Sequence, residues 1–289
     1  MIQVVTLSPA IDTTYSLRQV KMGEVNRVEE VHRAPGGKGL NVTRVLKKLR
    51  KSPHIHCPLG GPNGNWLEEQ LESIGIQNTI TKIAENTRTA VIISDQAPTV
   101  FNEPATTVDQ NALDKIISGI ESSDVIVFSG SVPKNIAKED FENFIVSLKQ
   151  KTPTLIVDTS GQHLLTASKH ADYIKPNLEE LLEATGLTKD QALKEVSKNG
   201  SKVILSLGEN GVELHGDSLI RCVAPVQRGN PTGAGDALTA GFAAFFETGE
   251  REALRQACAL SAASVNSEVA GDYDRDTYEN LLTQVEVTS

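Results

Sequence analysis

Val125-Ile126-Val127-Phe128, closed by Ser129-Gly130-Ser131, is a near-continuous apolar run of strand-forming residues. A strand that faces water on one side alternates, whereas one buried on both faces does not. The run therefore predicts a strand inside a parallel sheet. Val203-Ile204-Leu205 has the same character. Working outward, apolar β-rich runs occupy 2–7, 88–94, 124–129, 154–158, 171–174 and 202–207. Helical periodicity occupies 38–49, 63–73, 109–121, 138–149, 177–185, 189–199, 233–247 and 250–268. Strands separated by single helices build βαβ units, hence an α/β fold with a mostly parallel sheet covered by helices. Residues 1–289 read as one domain, without internal repeat or low-complexity linker.

Two segments break this rhythm. Tyr15-Ser16-Leu17 with Glu24 through His32, and residues 87–103, alternate or pair like strands without helical period. They predict a small one-sided β-sheet, from roughly 13–35 and 87–104, inserted in the core as a lid. Its apolar face must be covered by substrate and core, or by a second subunit.

Composition narrows the function. The 289 residues carry 28 Lys+Arg against 37 Asp+Glu, a net charge of −9, with 39% hydrophobic residues. Such a chain buries roughly three quarters of its unfolded surface, enough for one large core. The acid excess argues against a nucleic-acid surface, which rests on dense Lys/Arg. Cys57, Cys222 and Cys258 form no CxxC and no disulfide framework, and read as reduced, buried thiols. His54 and His56 share a face of a strand and read as a partly exposed pair. No apolar run approaches the ~18 residues of a membrane helix. The segment Met1–Leu7 reads as a first strand and not a signal, so a cytoplasmic location is expected.

Chemistry concentrates in Asn230-Pro231-Thr232-Gly233-Ala234-Gly235-Asp236, which runs into a helix at Ala237. Small residues there leave backbone N–H groups free, and with the helix dipole these form an anion site. Asp236 beside it can accept a proton from a hydroxyl nucleophile, or simply complete the charge of the first turn. Pro35-Gly36-Gly37-Lys38-Gly39-Leu40-Asn41 is a second glycine turn before a helix, matching neither the Walker nor the dinucleotide pattern. It offers close approach, a point charge and a donor–acceptor pair, or else a hinge with a solvated lysine. Asn177 and Glu180, three apart after Lys175-Pro176, suit a hydrated Mg²⁺ near phosphates and equally suit a capping box. Ser206 to Gly211 follows a buried strand, as a nucleotide site or as an ordinary strand-to-hairpin turn. Ser131 ends the 124–129 strand in the same manner. Asp12, after the first strand, is a partner for substrate hydroxyls or a turn residue.

Taken in order, these segments resemble the ribokinase-like carbohydrate kinases, the PfkB family, from residue 1 to about 270. NPTGAGDALTAGF (230–242) and PGGKGLNVTRVLKKL (35–49) look like its two signatures. SPAID (8–12), NTRTA (86–90), FNEP (101–104), SGSVP (129–133), KPNLEEL (175–181) and SLGENG (206–211) fall between them in the family's order. The resemblance implies a three-layer α/β/α core with a small β-sheet lid, and transfer of the γ-phosphoryl of ATP, with Mg²⁺, to a sugar hydroxyl. By that analogy Asp236 is the base and Gly233, Ala234 and Gly235 the anion hole. Asp12, Gly37, Asn41, Asn102 and Ser131 line the sugar, and Lys38, Arg88 and Arg27 hold a phosphate already present on it. Lys175, Asn177, Ser206, Gly208, Gly211 and Asn266 face the nucleotide, and Glu180 holds the metal through water. PGGKG with GEVNR (23–27) and FNEP look most like the branch that phosphorylates fructose 1-phosphate or tagatose 6-phosphate, the former preferred. A homodimer through the lid sheet is expected from the same resemblance.

Departures exist. Arg50 stands where the family usually has a glycine, so the C-cap of the first helix should differ. Ala105-Thr106 replaces Gly-Pro after FNEP, and 94–101 reads unusually. Other readings are a kinase of an unphosphorylated sugar or nucleoside, against which Lys38 and Arg88 speak, and a non-catalytic sugar-phosphate-binding regulator, against which Asp236 speaks. The cations Lys38, Arg88 and Lys175 are expected to gather in one cleft of an otherwise negative protein.

Overall fold

The structure, a computed structural model, describes residues 1–94, 99–267 and 269–289. In chain order the strands are β1 (Ile2–Val5), β2 (Ala10–Ser16), β3 (Glu30–Gly36), β4 (Pro53–Gly60), β5 (Gln77–Ile83), β6 (Thr89–Ser94), β7 (Thr99–Asn102), β8 (Val125–Ser129), β9 (Thr154–Asp158), β10 (Tyr173–Ile174), β11 (Lys202–Ser206), β12 (Val212–His215), β13 (Leu219–Val223) and β14 (Glu286–Thr288). The helices are α1 (Lys38–Lys48), α2 (Gly61–Ser73), α3 (Gln110–Gly119), α4 (Lys138–Lys149), α5 (Gly161–Ala167), α6 (Leu178–Thr185), α7 (Lys189–Val196), α8 (Ala234–Phe245), α9 (Glu250–Ser264) and α10 (Arg275–Leu282).

Ten strands form one sheet in the order β14-β13-β12-β11-β10-β9-β8-β1-β4-β5. It is parallel from β11 to β5 and antiparallel from β11 to β14. The apolar run Val125–Phe128 lies beside β1 at its centre, with Val4 opposite Val127. Both faces of β8 are buried, which explains the missing alternation. Val4, Ile55, Val125 and Val127 point to a core shared with α1, α2, α8, α9 and α10. Val5, Ile126, Phe128 and Val157 point to a second core under α3 to α7. The three-layer expectation is therefore what the chain adopts. From β1 the chain adds β4 and β5 on one side, then crosses to β8 and continues on the other. That reversal leaves a crevice at the C-terminal ends of β1 and β8.

The remaining four strands form a separate sheet, β3-β2-β6-β7. Asp12, Ala90 and Asn102 stand side by side on one face of it, and so do Ile92 and Val100. Asp12 thus belongs to a strand, not to a turn after β1. Residues 95–98, part of the unusual 94–101 stretch, lie outside the described residues, as does residue 268 at the end of the expected 250–268 helix.

Several expectations need correction. His56 is fully buried, stacks on His54 at 4.5 Å between centroids, and contacts Gln3 Oε1, so the pair is not simply a partly exposed one. Burial pushes His56 down to about 3, with His54 and Lys151 adding to the effect. The C-terminal turn of α1 keeps the geometry a glycine would give: Arg50 has φ 61, the left-handed region. Strands β5 and β14 and helices α5 and α10 were not anticipated, and the hairpin β12–β13 was anticipated only through the alternative reading of Ser206 to Gly211. The three cysteines are free and buried, as expected. No described helix is long and apolar enough to cross a membrane.

Candidate active site

A cleft of about 900 Å³ opens at the switch-point crevice, between the C-terminal ends of the parallel strands and the Asp12 face of the small sheet. Helices α1 and α8 point their N-termini into it. The α1 turn requires glycine: a Cβ on Gly36 would sit 2.0 Å from Asp12 Cγ, and Gly37 has φ 84. At α8, Gly233 has φ 89, in the left-handed region, and caps the helix.

At the α8 end, Asp236 is buried and accepts a hydrogen bond from Asn41 Nδ2 at 2.8 Å. Burial pushes its carboxyl up to about 7, and the neighbouring Asp158 charge adds to that; Lys38, Asn41 and Lys175 work against it. Of the backbone donors expected to form the anion hole, Ala234 N–H is engaged, donating to Pro231 O at 3.1 Å. Gly235 and Asp236 lie in the first turn, where the helix supplies N–H groups with no partner.

Beside Asp236 lies an ion cluster. Lys38 Nζ is 3.0 Å from Asp158 Oδ1 and 3.5 Å from Glu180 Oε1. Lys175 Nζ is 3.3 Å from Asp158 Oδ2, and Thr239 Oγ1 is 3.2 Å from the same oxygen. Burial alone would raise Asp158; Lys175 and Lys38 outweigh it and hold the carboxyl below the usual range. Lys38 is likewise held above its ordinary value against its burial, by Asp158, Glu180 and Asp236. Asn177 and Glu180 form a complete capping box, Glu180 N–H to Asn177 Oδ1 at 2.7 Å and Asn177 N–H to Glu180 Oε2 at 2.9 Å. The capping reading thus holds, and both residues also line the cleft.

At the opposite end, Arg88 donates through Nε to Ser8 Oγ at 3.0 Å and shares the cleft wall with Asp12. Burial pushes Asp12 up to about 6, against the pull of Arg88 and Arg44. Ser131, Asn102 and Gly37 line the wall near these groups. Beyond the ion cluster, Ser206, Gly208 and Gly211 line the far end. They sit on the β11–β12 hairpin, held by Ser206 N–H to Pro176 O at 3.1 Å. The apolar side chains of Val212, Val226, Cys258 and Val265 complete that end.

Two expected residues do not join the cleft lining. Arg27 is exposed between β2 and β3, and Asn266 is exposed with its Nδ2 on Gln227 Oε1 at 3.1 Å. Lys38 joins it, but faces Asp158 and Glu180 and not Arg88. Asp158 and Thr239 were missed altogether. The only sequence signal for Asp158 was its place at the end of the buried run Thr154-Leu155-Ile156-Val157.

The three cations do gather, yet they are outnumbered. Lys38, Arg88 and Lys175 face Asp12, Glu103, Asp158, Glu180, Glu209 and Asp236 along the lining. No cluster among the described residues forms a ready-made metal cage. Glu180 and Asn177 on the lining fit Mg²⁺, which is held through phosphates, waters and one or two carboxylates. Asn41 Oδ1 and Thr159 Oγ1, both buried and without a hydrogen-bond partner, also fit a ligand rich in hydroxyls and oxygens.

The sequence pattern of the pfkB family carbohydrate kinases matches residues 5–276. A tagatose-6-phosphate kinase of Staphylococcus epidermidis is 30% identical over 307 residues, spanning 99% of both chains. Phosphofructokinase-2 of Escherichia coli, in complex with potassium, superposes with a TM-score of 0.90 at 24% identity over 98% of both chains. The same enzyme in complex with fructose-6-phosphate gives 0.88 at 23%, again over 98% of both. These two structures share the fold, a ribokinase-like α/β arrangement with its small separate sheet. With its family pattern, fold and cleft in agreement, the chain belongs to the pfkB family of carbohydrate kinases.

Proposed function

We propose that this kinase transfers the γ-phosphoryl of ATP to a hydroxyl of a phosphorylated ketohexose, with Asp236 as general base. The observation that carries the reading is a single cleft with a buried, proton-accepting carboxylate at a helix N-terminus and an arginine–aspartate wall opposite it. Asn41 Nδ2 fixes one oxygen of Asp236 at 2.8 Å and leaves the other for the acceptor hydroxyl. Asn41 orients that hydroxyl, Asp12 holds another hydroxyl of the sugar, and Arg88 takes the phosphate the sugar already bears. Arg88 already lies near Asp12 and Glu103, and a sugar phosphate brings it an anion that a neutral sugar lacks.

When bound with Mg²⁺, ATP supplies the phosphoryl group, and its metal offsets the carboxylates around it. Asn177 and Glu180 would hold that metal through water. Gly233 and Gly235 backbone donors, with Lys38 and Lys175, stabilise charge on the transferred group. Lys38 is thereby assigned to the transferred phosphoryl and not to the acceptor's own phosphate. The hairpin from Ser206 to Gly211 and the apolar residues beyond it would take the nucleoside. The small sheet, carrying Asp12, Arg88 and Asn102 near its edge, acts as a lid that keeps water from competing as acceptor.

A coupled ADP assay with fructose 1-phosphate, tagatose 6-phosphate, fructose 6-phosphate, free hexoses and nucleosides tests the reading. Turnover with a phosphorylated ketohexose supports it; turnover confined to neutral acceptors, or none, overturns it. The name of the 30%-identical relative favours tagatose 6-phosphate as a second reading beside fructose 1-phosphate. We infer a homodimer through the lid sheets, supported by Val31 and Phe101, 52% and 61% exposed on the face turned away from the cleft. A monomeric mass at micromolar concentration would refute that assembly.

A further inference from the structure

Asp158 has no place in the chemistry above, yet it is fully buried at the end of β9, lines the cleft, and engages two lysines and a threonine. The lysines come from distant parts of the chain, Lys38 on α1 and Lys175 after β10. The ammonium of Lys175 also lies against the start of α8, since a Cβ on Gly235 would be 3.4 Å from Lys175 Nζ. No ion pair joins Lys38 or Lys175 to Asp236, although both lie near enough to act on its charge. Asp158 takes both.

We propose that Asp158 is a positioning residue: its carboxylate binds Lys38 through one oxygen and Lys175 through the other, and so keeps Asp236 free of a lysine partner. The proposal rests on the reading of Asp236 as base. A carboxylate in contact with a lysine is a weak proton acceptor, because protonation would break the ion pair. The charged groups facing Asp236 are Asp158 from β9, Lys38 from α1 and Lys175 from the β10–α6 turn, with Asn41 as a neutral donor. Asp158 therefore acts twice in one direction. It occupies the two cations, and it adds a like charge beside the base. Thr239 Oγ1, shared between Asp158 Oδ2 at 3.2 Å and Gly235 O at 3.0 Å, ties the carboxylate to the first turn of α8.

Removing the charge has a signature that simple structural damage lacks. In Asp158→Asn both lysines lose their anionic partner on β9; Lys38 keeps Glu180 at 3.5 Å, and Asp236 becomes the alternative for Lys175. We expect the acid limb of kcat/KM to move down by about one pH unit, while the plateau rate falls. The carboxyl ¹³C resonance of Asp236, identified by its loss in Asp236→Asn, should titrate at correspondingly lower pH, a readout independent of turnover. Asp158→Glu keeps the charge and should hold the limb at its wild-type position despite a slower rate. Should Asp158→Asn not fold, Thr239→Val with the same two readouts should shift in the same direction by less. An Asp236 titration that stays put or moves up in these variants overturns the proposal. Turnover retained by Asp236→Asn would instead refute the base assignment on its own.

Discussion

Asp12 and Asp236 are two carboxylates at opposite ends of one cleft, both pushed up by burial, to about 6 and about 7. Their surroundings differ. Asp12 stands on a strand of the small sheet with Arg88 and Arg44 pulling its value back. Asp236 stands at a helix N-terminus with Asp158 pushing it further up. An arginine cannot give up its proton, so Arg88 gives the Asp12 end a permanent positive charge. The Asp236 end has its lysines claimed by Asp158, and is left able to exchange a proton near neutral pH. On the proposed reading, the same residue type serves binding in one place and chemistry in the other because of what lies next to it.

Substitutions can break this contrast, and the largest effect should come at the chemical end. Asp236→Asn should lower kcat by about 10³-fold with nucleotide binding retained. A raised carboxyl binds more protons folded than unfolded between its ordinary value of 3.8 and about 7, so its burial costs stability as pH rises through that window. The same variant should therefore melt higher than wild type at pH 8, by about 2–4 °C. Calorimetry at pH 5 and pH 8 checks the sign.

Next in size, Arg88→Met should raise KM for a phosphorylated acceptor by about 10- to 100-fold, with a smaller change in kcat. Lys38→Ala should show the reverse split, a reduced kcat with little change in acceptor KM, because Lys38 faces Asp158 and Glu180. Steady-state kinetics on both variants separates the two ends. Identical splits would mean that Lys38 and Arg88 serve one phosphate.

Far from the cleft, the left-handed Arg50 provides a control for effects on folding alone. Arg50→Gly should stabilise the protein by about 1 kcal/mol or less, measured by denaturant unfolding, and leave kinetics unchanged.

The sequence made much of this legible where a residue's meaning is local. Val125–Phe128 announces a doubly buried strand, and the turn before Asp236 announces an anion site, because each depends on near neighbours in the chain. Helix α4 is found at its expected bounds, 138–149. Asp158 was not legible: its partners are Lys38, 120 residues before it, and Thr239, 81 residues after it. An aspartate at a strand end is otherwise an ordinary turn residue. Lys38 could be read as a charge but not as a direction, and only the fold turns it toward β9. The net charge of −9 suggested a positive cleft as the remedy for binding anions. The cleft has more carboxylates than cations, and the proposed function answers that acid excess with a divalent metal carried by the nucleotide.

The most direct test of Asp236 as the base is the pH dependence of kcat at saturating ATP and acceptor, where ionisation of the free substrates drops out. An acid limb is expected in the near-neutral range, with the rate falling about tenfold per pH unit below it. A kcat that stays flat from pH 8 down to pH 5 would contradict it.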